Sequence, residues 1–200
     1  MWESTKDLVK FVTEDTGIMN ELMYDRSKFK CLEIGAGASI PSLSLLSRLI
    51  SDPKFVSHYR IHLQDFNWEV LASLTLLNFA ANYPTDYLEA LIATKCLRLF
   101  CGDWKNFRIE SNYRYNLIIM SEVLYNSDNY RSLHNLLDRL TKDDGYIVIA
   151  TKDTYFGLSG SLHLWLQQLD DLRVFEVHQT IRISTTNIPR SLLILRRLKS

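Results

Sequence analysis

Cys31-Leu32-Glu33-Ile34-Gly35-Ala36-Gly37-Ala38-Ser39 decides the fold. An apolar run over 29–34 ends in an acid and two glycines. Leu43, Leu46 and Ile50, with Leu45 and Leu49, then recur at helical spacing. A strand therefore runs through a tight turn into a helix. Gly35 and Gly37 lack a Cβ, so the backbone can turn sharply and a ligand can come close. Ser39 is placed to cap the helix, and Pro41 suits its first turn. Glu33 stands at the carboxyl end of the strand, the edge where open α/β sheets bind their ligands.

Outward from this turn the chain alternates. Arg60–Asp65 reads as a second strand and Lys95–Phe100 as a third. Trp68–Asn82 is helical, with Val70, Leu71, Leu74, Leu77 and Ala81 in phase. Leu117–Met120 is a continuous apolar run, as in a strand covered on both faces. Leu133, Leu136, Leu137 and Leu140 form a helix stripe that Ser127 or Asp128 could cap, and Asp144-Gly145 turns into a fifth strand, Tyr146–Ala150. Alternation of this kind means parallel strands joined by right-handed crossovers. The end of the chain differs. A helix over 161–169 leads to strand candidates 173–183 and 191–198, joined by a short polar loop with Asn187 and Pro189. No helix separates them, so they pair antiparallel. The prediction is a Rossmann-like α/β fold with a seven-stranded sheet, helices on both faces and a C-terminal antiparallel hairpin.

Composition narrows the class. Two hundred residues fit one domain, 1–200. Residues 1–27 read as a helical segment (Leu8, Phe11, Val12) that packs over the ligand side. Lys plus Arg, 23, equals Asp plus Glu, 23, so no basic excess points to nucleic acid. The three cysteines, Cys31, Cys96 and Cys101, lie at no metal or redox spacing and read as buried thiols of a reduced compartment. Glu3, Lys6 and Asp7 stand where a secretory signal would need an apolar core, and no apolar run reaches membrane-spanning length. A soluble, cytoplasmic protein follows, with the nucleus also open to it. The five histidines, His58, His62, His134, His163 and His178, form no metal pattern, so each reads as surface or packed. No G-x-S-x-G elbow or phosphate-binding G-x-x-x-x-G-K is present. Trp165 and Leu162 read as helix packing.

Polar groups gather at the strand ends. The first gives Glu33, Gly35 and Gly37; the second, Gln64-Asp65-Phe66-Asn67; the third, Cys101-Gly102-Asp103-Trp104; the fourth, Ser121-Glu122-Val123-Leu124-Tyr125-Asn126. The fifth leads into Lys152-Asp153 and Tyr155-Phe156-Gly157. A dinucleotide site keeps G-x-G-x-x-G and has its ribose-binding acid much later. Here the third glycine is missing and the acid comes first, a pattern typical of S-adenosylmethionine (SAM) sites. A carboxylate at Asp65 can take both ribose hydroxyls with its two oxygens; equally, Asp65 or Asn67 could cap the next helix. Asp103 can accept from an adenine amino group and Trp104 can stack on the ring, or the pair could be a polar turn with a core tryptophan.

These patches resemble the protein-histidine methyltransferases, a family of the SAM-dependent seven-β-strand (class I) superfamily. The resemblance rests on Trp2-Glu3-Ser4-Thr5, Leu32-Glu33-Ile34-Gly35-Ala36-Gly37, His62-Leu63-Gln64-Asp65-Phe66-Asn67, Ser121–Asn126 and Lys152–Gly160. It covers nearly the whole chain. It implies SAM as cofactor, held by Trp2, Glu3, Glu33, Gly35, Gly37, Asp65, Asn67, Gly102, Asp103, Trp104 and Ser121. It also implies transfer to a ring nitrogen of a histidine in a large-subunit ribosomal protein, by a monomer that engages neither membrane nor nucleic acid and uses no metal. Glu122, Asn126 and Asp153 are candidates to hold the far ring N–H, and Tyr125 to wall the ring. The chain begins almost on the Trp-Glu patch, without the longer N-terminal region usual in the family, and has Ala36 and Ser39 where relatives carry cysteine or glycine. Two other readings stay open: the same fold acting on lysine or a small molecule, and a binding module without catalysis.

Overall fold

A computed structural model describes residues 3–14, 17–24, 29–50, 59–184 and 188–198. In chain order the elements are α1 (Glu3–Glu14), α2 (Ile18–Tyr24), β1 (Phe29–Ile34), α3 (Ile40–Ile50) and β2 (Tyr59–Asp65). A continuous rod, α4 (68–82), follows, and then α5 (Thr85–Ala93), β3 (Leu97–Cys101) and β4 (Tyr115–Ser121). The chain closes with α6 (Tyr130–Leu140), β5 (Thr141–Lys152), α7 (Leu162–Leu172), β6 (Phe175–Ile183) and β7 (Arg190–Arg197). The seven strands form one sheet in the order β3-β2-β1-β4-β5-β7-β6. All pairs from β3 to β5 are parallel, while β7 runs antiparallel to both β5 and β6.

The sheet separates two apolar layers. Alternate residues of each central strand feed opposite faces. Cys31, Ile61, Leu117 and Val148 join Leu8, Phe11, Val12, Leu45 and Leu49 on one side. Leu32, Ile34, Ile118 and Ile147 join Leu133, Leu137 and Trp165 on the other. Trp165 is fully buried with its ring edge-on to Tyr130 at 5.3 Å, so it is a packing residue. His62 and His134 are buried within the second layer's surroundings.

Several local features differ from the sequence reading. α5 went unread because it buries only Leu91 and so shows little apolar periodicity. α4 is α-helical over Trp68–Val70 and Leu76–Asn82 but passes through a π-helical turn at Leu71–Thr75. Ser39 does not cap α3 with its hydroxyl, which donates to Glu33 instead. Neither Ser127 nor Asp128 caps α6: a 3-10 turn over Ser127–Asn129 precedes it, and the Asn126 side chain caps that turn. β5 begins at Thr141, before the glycine read as its turn, with a register shift between Tyr115 and Leu117 on its partner. Cys101 is exposed, because β3 lies at the sheet edge.

Candidate active site

The carboxyl ends of β1 to β4 open into one cavity of about 550 Å³. Its floor is the glycine loop. Gly35, Gly37 and Ser39 take left-handed conformations, with φ of 66°, 50° and 52°. A side chain at Gly35 would bring Cβ to 2.9 Å from Val123 Cγ1, so the loop and the turn after β4 leave no room for one. α4 holds the loop from the other side: Thr75 Oγ1 donates to the Gly37 carbonyl at 2.5 Å and Asn78 Nδ2 to that of Ala38 at 2.8 Å. Thr75 closes the π-helical turn, a device that re-aims side chains at functional sites.

Asp65 ends β2 facing this loop. Its Oδ2 accepts the Gly37 N–H at 2.9 Å and its Oδ1 accepts that of Asn67 at 3.0 Å. Each carboxylate oxygen offers a second acceptor position, so a vicinal diol can still be held. Asn67 lines the cavity and precedes α4 without a side-chain cap bond. Gln64, beside Asp65, is almost fully buried. Its Nε2 donates to the Gly102 carbonyl at 2.8 Å, and its Oε1 accepts from Trp104 Nε1 at 3.0 Å. That fixes the indole in the cavity wall. Asp103 also lines the cavity while its Oδ1 caps the next turn at Lys105, 2.8 Å away.

At the end of β4, Glu122 has φ 57°, a left-handed conformation uncommon outside glycine. Its N–H donates to the Ala150 carbonyl at 2.9 Å, and its carboxylate accepts from the Ser4 hydroxyl of α1. Thr5 and Ser121 hydroxyls lie 3.1 Å apart. α1 itself is fastened to β7: buried Arg190 donates to Asp7 at 2.8 Å and to Glu3 at 3.1 Å. Tyr125 stands half exposed at the cavity mouth.

The site's charge is one-sided. Among the described residues, the acidic side chains lining it are Glu33, Asp65, Asp103 and Glu122, with no lysine, arginine or histidine. Such a donor set suits a cationic ligand and repels a pyrophosphate. It fits SAM, whose sulfonium and ammonium outweigh its one carboxylate.

The structure brings together Glu33, Gly35, Gly37, Asp65, Asn67, Asp103, Trp104, Ser121, Glu122 and Tyr125. It places four other candidates outside the lining. Glu3 does not line the cavity; its carboxylate turns to Arg190, a buried cation that needs anionic partners. Gly102 is set back, its carbonyl taken by Gln64. Asn126 lies outside the lining, with Oδ1 accepting from the Asp128 N–H at 3.0 Å and from Ser159 Oγ at 3.3 Å. Asp153 accepts from Ser191 Oγ at 2.6 Å, away from the cavity. Trp2 falls outside the described residues. Glu33 lines the cavity, but its Oε2 is used internally, accepting from Ser39 Oγ at 2.8 Å and the Ser42 N–H at 3.2 Å. Burial pushes its carboxyl up to about 7, with the charge of Asp65 adding, against the downward pull of the hydrogen bonds from Ser42 and Ser39. Gln64, Thr75, Asn78 and Ser4 carry no site role in the sequence reading; Gln64 and Ser4 stood inside the quoted patches, while for Thr75 and Asn78 a polar residue in a helical segment was the signal available.

Among the described residues no cluster of histidine, cysteine or carboxylates could hold a metal, and no helix is long and apolar enough to cross a membrane. The family model described as lysine methyltransferase matches residues 1–159. The histidine protein methyltransferase 1 homolog of Rattus norvegicus is 28% identical over 96% of this chain and 54% of its own length. The histidine protein methyltransferase 1 of Schizosaccharomyces pombe is 28% identical over 96% of this chain and 62% of its own. The chain thus spans little more than half the length of these relatives. Among solved structures, the glycopeptide N-methyltransferase MtfA complexed with sinefungin superposes with a TM-score of 0.64, at 11% identity, over 99% of this chain and 98% of that one. An rRNA methylase from Streptococcus thermophilus gives 0.58, at 14% identity, over 98% and 95%. These likenesses establish the class I methyltransferase fold.

Proposed function

Because the chain belongs to the family described as lysine methyltransferase, we propose that it transfers a methyl group from SAM to a ring nitrogen of a histidine in a protein. The observation that carries the reading is the cavity's acidity: four carboxyl groups and, among the described residues, no cationic side chain line it around a glycine loop. The choice of histidine is supported by the names of the full-length relatives and by the chemistry at the end of β4. As substrate class we infer a large-subunit ribosomal protein, from the resemblance of the Ser121–Asn126 and Lys152–Gly160 patches.

When bound, SAM supplies an electrophilic methyl on its sulfonium. The chain's own residues do the rest. Asp65 takes the ribose hydroxyls, Trp104 offers a face for the adenine, and Asp103 an acceptor beside it. Gly35 and Gly37 let the backbone come near. On the acceptor side, Glu122 accepts the far N–H of a neutral imidazole, which leaves the other nitrogen's lone pair free for in-line attack. After transfer the ring is cationic, and the proton on the nitrogen facing Glu122 is the one that leaves. No strong base is required, because an imidazole with pKa about 6.5 is mostly neutral at pH 7. Alignment and exclusion of water carry the rate.

Lysine is the second reading, favoured by the family description. A lysine must first lose its proton, at a cost of roughly 4.6 kcal/mol at pH 7 from a pKa of about 10.4. The deciding experiment incubates the purified protein with labelled SAM and a ribosomal protein extract and locates the methyl group by mass spectrometry. A substrate peptide is then compared with its version carrying lysine for the target histidine. Transfer to histidine alone supports the reading. Equal or faster transfer to lysine overturns it.

A further inference from the structure

Glu122 is the residue to which the proposed function gives the acceptor chemistry, and its geometry is imposed from outside its own strand. Its backbone is left-handed, a conformation that persists only where the surroundings enforce it. The peptide N–H is tied to β5 through Ala150. Its carboxylate, in contrast, is tied to the N-terminal helix, 118 residues away in sequence, through the hydroxyl of Ser4. Ser4 is fully buried, so this hydroxyl is shielded from water. The helix that carries it is fixed by Arg190, whose guanidinium lies 2.8 Å from Asp7 and 3.1 Å from Glu3. Thr5 meets Ser121 at 3.1 Å, so two successive residues of α1 meet two successive residues at the end of β4.

We propose that Ser4 is a positioning residue of the acceptor site: its hydroxyl occupies one lone pair of the Glu122 carboxylate and turns another toward the imidazole N–H. This rests on the reading of Glu122 as the acceptor carboxylate. A carboxylate on a flexible stem has several rotamers, and only one presents an oxygen to a ring held in line with the sulfonium. The Ser4 bond, with the Tyr155 hydroxyl that meets the same carboxylate, selects it before substrate arrives, so the ordering cost is met in folding. Ser4 does not touch substrate in this scheme, and its effect travels only through Glu122.

The test is a double-mutant cycle on the purified protein with Ser4→Ala, Glu122→Gln and both together. Methyl transfer to the peptide identified by product analysis gives kcat and KM; calorimetry gives SAM affinity. A readout free of turnover is the affinity for imidazole itself, followed by its ring-proton shifts in the presence of S-adenosylhomocysteine. Ser4→Ala is expected to lower kcat roughly tenfold and weaken imidazole binding several-fold. SAM affinity and melting temperature should stay close to wild type. Ser4→Thr, which keeps the hydroxyl, should recover most of kcat. In the Glu122→Gln background Ser4→Ala should add little. Full additivity in the cycle overturns the proposal, as does a loss confined to melting temperature or SAM affinity. If the wild-type product carries its methyl on lysine, the histidine reading fails while the cycle still decides the role of Ser4, because both acceptors meet the same carboxylate.

Discussion

Glu33 Oε2, at the end of β1, accepts the backbone N–H of Ser42 in the first turn of α3 at 3.2 Å. An acid from a neighbouring strand thus does the work usually left to a capping hydroxyl, while that hydroxyl, on Ser39, donates to the same oxygen at 2.8 Å. The helix dipole favours a negative charge there, and burial disfavours it. Burial wins, holding the carboxyl near 7.

That balance makes the ligand-free protein sensitive to pH. Glu33 is raised from 4.5 to about 7 by burial, so the folded state binds its proton over that window and the unfolded state does not. Its contribution therefore falls as pH rises from about 4.5 to 7, by an amount on the order of 3 kcal/mol. His62, lowered to about 4 by burial, acts oppositely: its contribution is complete above 6.5 and is lost as pH falls toward 4. The two overlap, so the measurement is the stability difference between wild type and Glu33→Gln from pH 5 to pH 8. It should move steadily in favour of the glutamine variant. SAM, a cation, should bind more tightly as pH rises through 7, and this slope should vanish in Glu33→Gln.

Asp65→Ala removes the acceptor proposed for the ribose hydroxyls, which also receives the Gly37 and Asn67 N–H groups. Loss of a charged acceptor costs about 1.5–3 kcal/mol, or roughly 10- to 150-fold in affinity. Calorimetric titration with SAM should find that loss in a protein whose circular dichroism is unchanged. Wild-type affinity in the variant would remove Asp65 from the cofactor site.

Asp7→Ala takes from Arg190, whose side chain is only 6% exposed, the nearer of its two ion-pair carboxylates; the other, Glu3, is 54% exposed. Breaking a buried ion pair on one side costs about 3 kcal/mol. Chemical denaturation should show that loss. Turnover should fall further than SAM affinity, because α1 carries Ser4 and Thr5 to the β4 end of the cavity.

Gly160→Ala would place Cβ 2.0 Å from the Leu124 carbonyl oxygen and 2.5 Å from the carbonyl carbon of Tyr125. Backbone atoms cannot yield as a flexible side chain does, so the loop over 153–161 must part from the turn that carries Tyr125. The expected result is a lower melting temperature and reduced transfer with SAM affinity kept, since the glycine loop and Asp65 lie elsewhere. Unchanged turnover would show that this clamp does not shape the acceptor side.

The fold was legible because its signals are local. A glycine pair after an apolar strand, period-3.6 leucine stripes and a helix-free hairpin are each written within a few neighbouring residues. The same holds for the strand ends: in a parallel sheet every strand delivers its last residues to one edge, so Asp65, Asp103 and Glu122 could be grouped from order alone. α5 was missed where burial is slight and periodicity correspondingly weak.

What tertiary structure decided is which atoms each polar side chain faces. Glu33, Asn126 and Glu3 are as polar as Asp65 and Glu122, and sequence gave no reason to separate them. Three dimensions put Asn126 on its own turn and Glu3 on Arg190, while leaving Glu122 between α1 and the cavity. The sequence alone determined the order of strands and helices and hence the edge at which chemistry gathers, because local periodicity and short connections dictate them. The partners of Ser4, Gln64 and Arg190 lie 118, 40 and 183 residues away; the packing of α1 against the ends of β4 and β7 brings the first and last within hydrogen-bond distance, and the pairing of β2 with β3 brings the second.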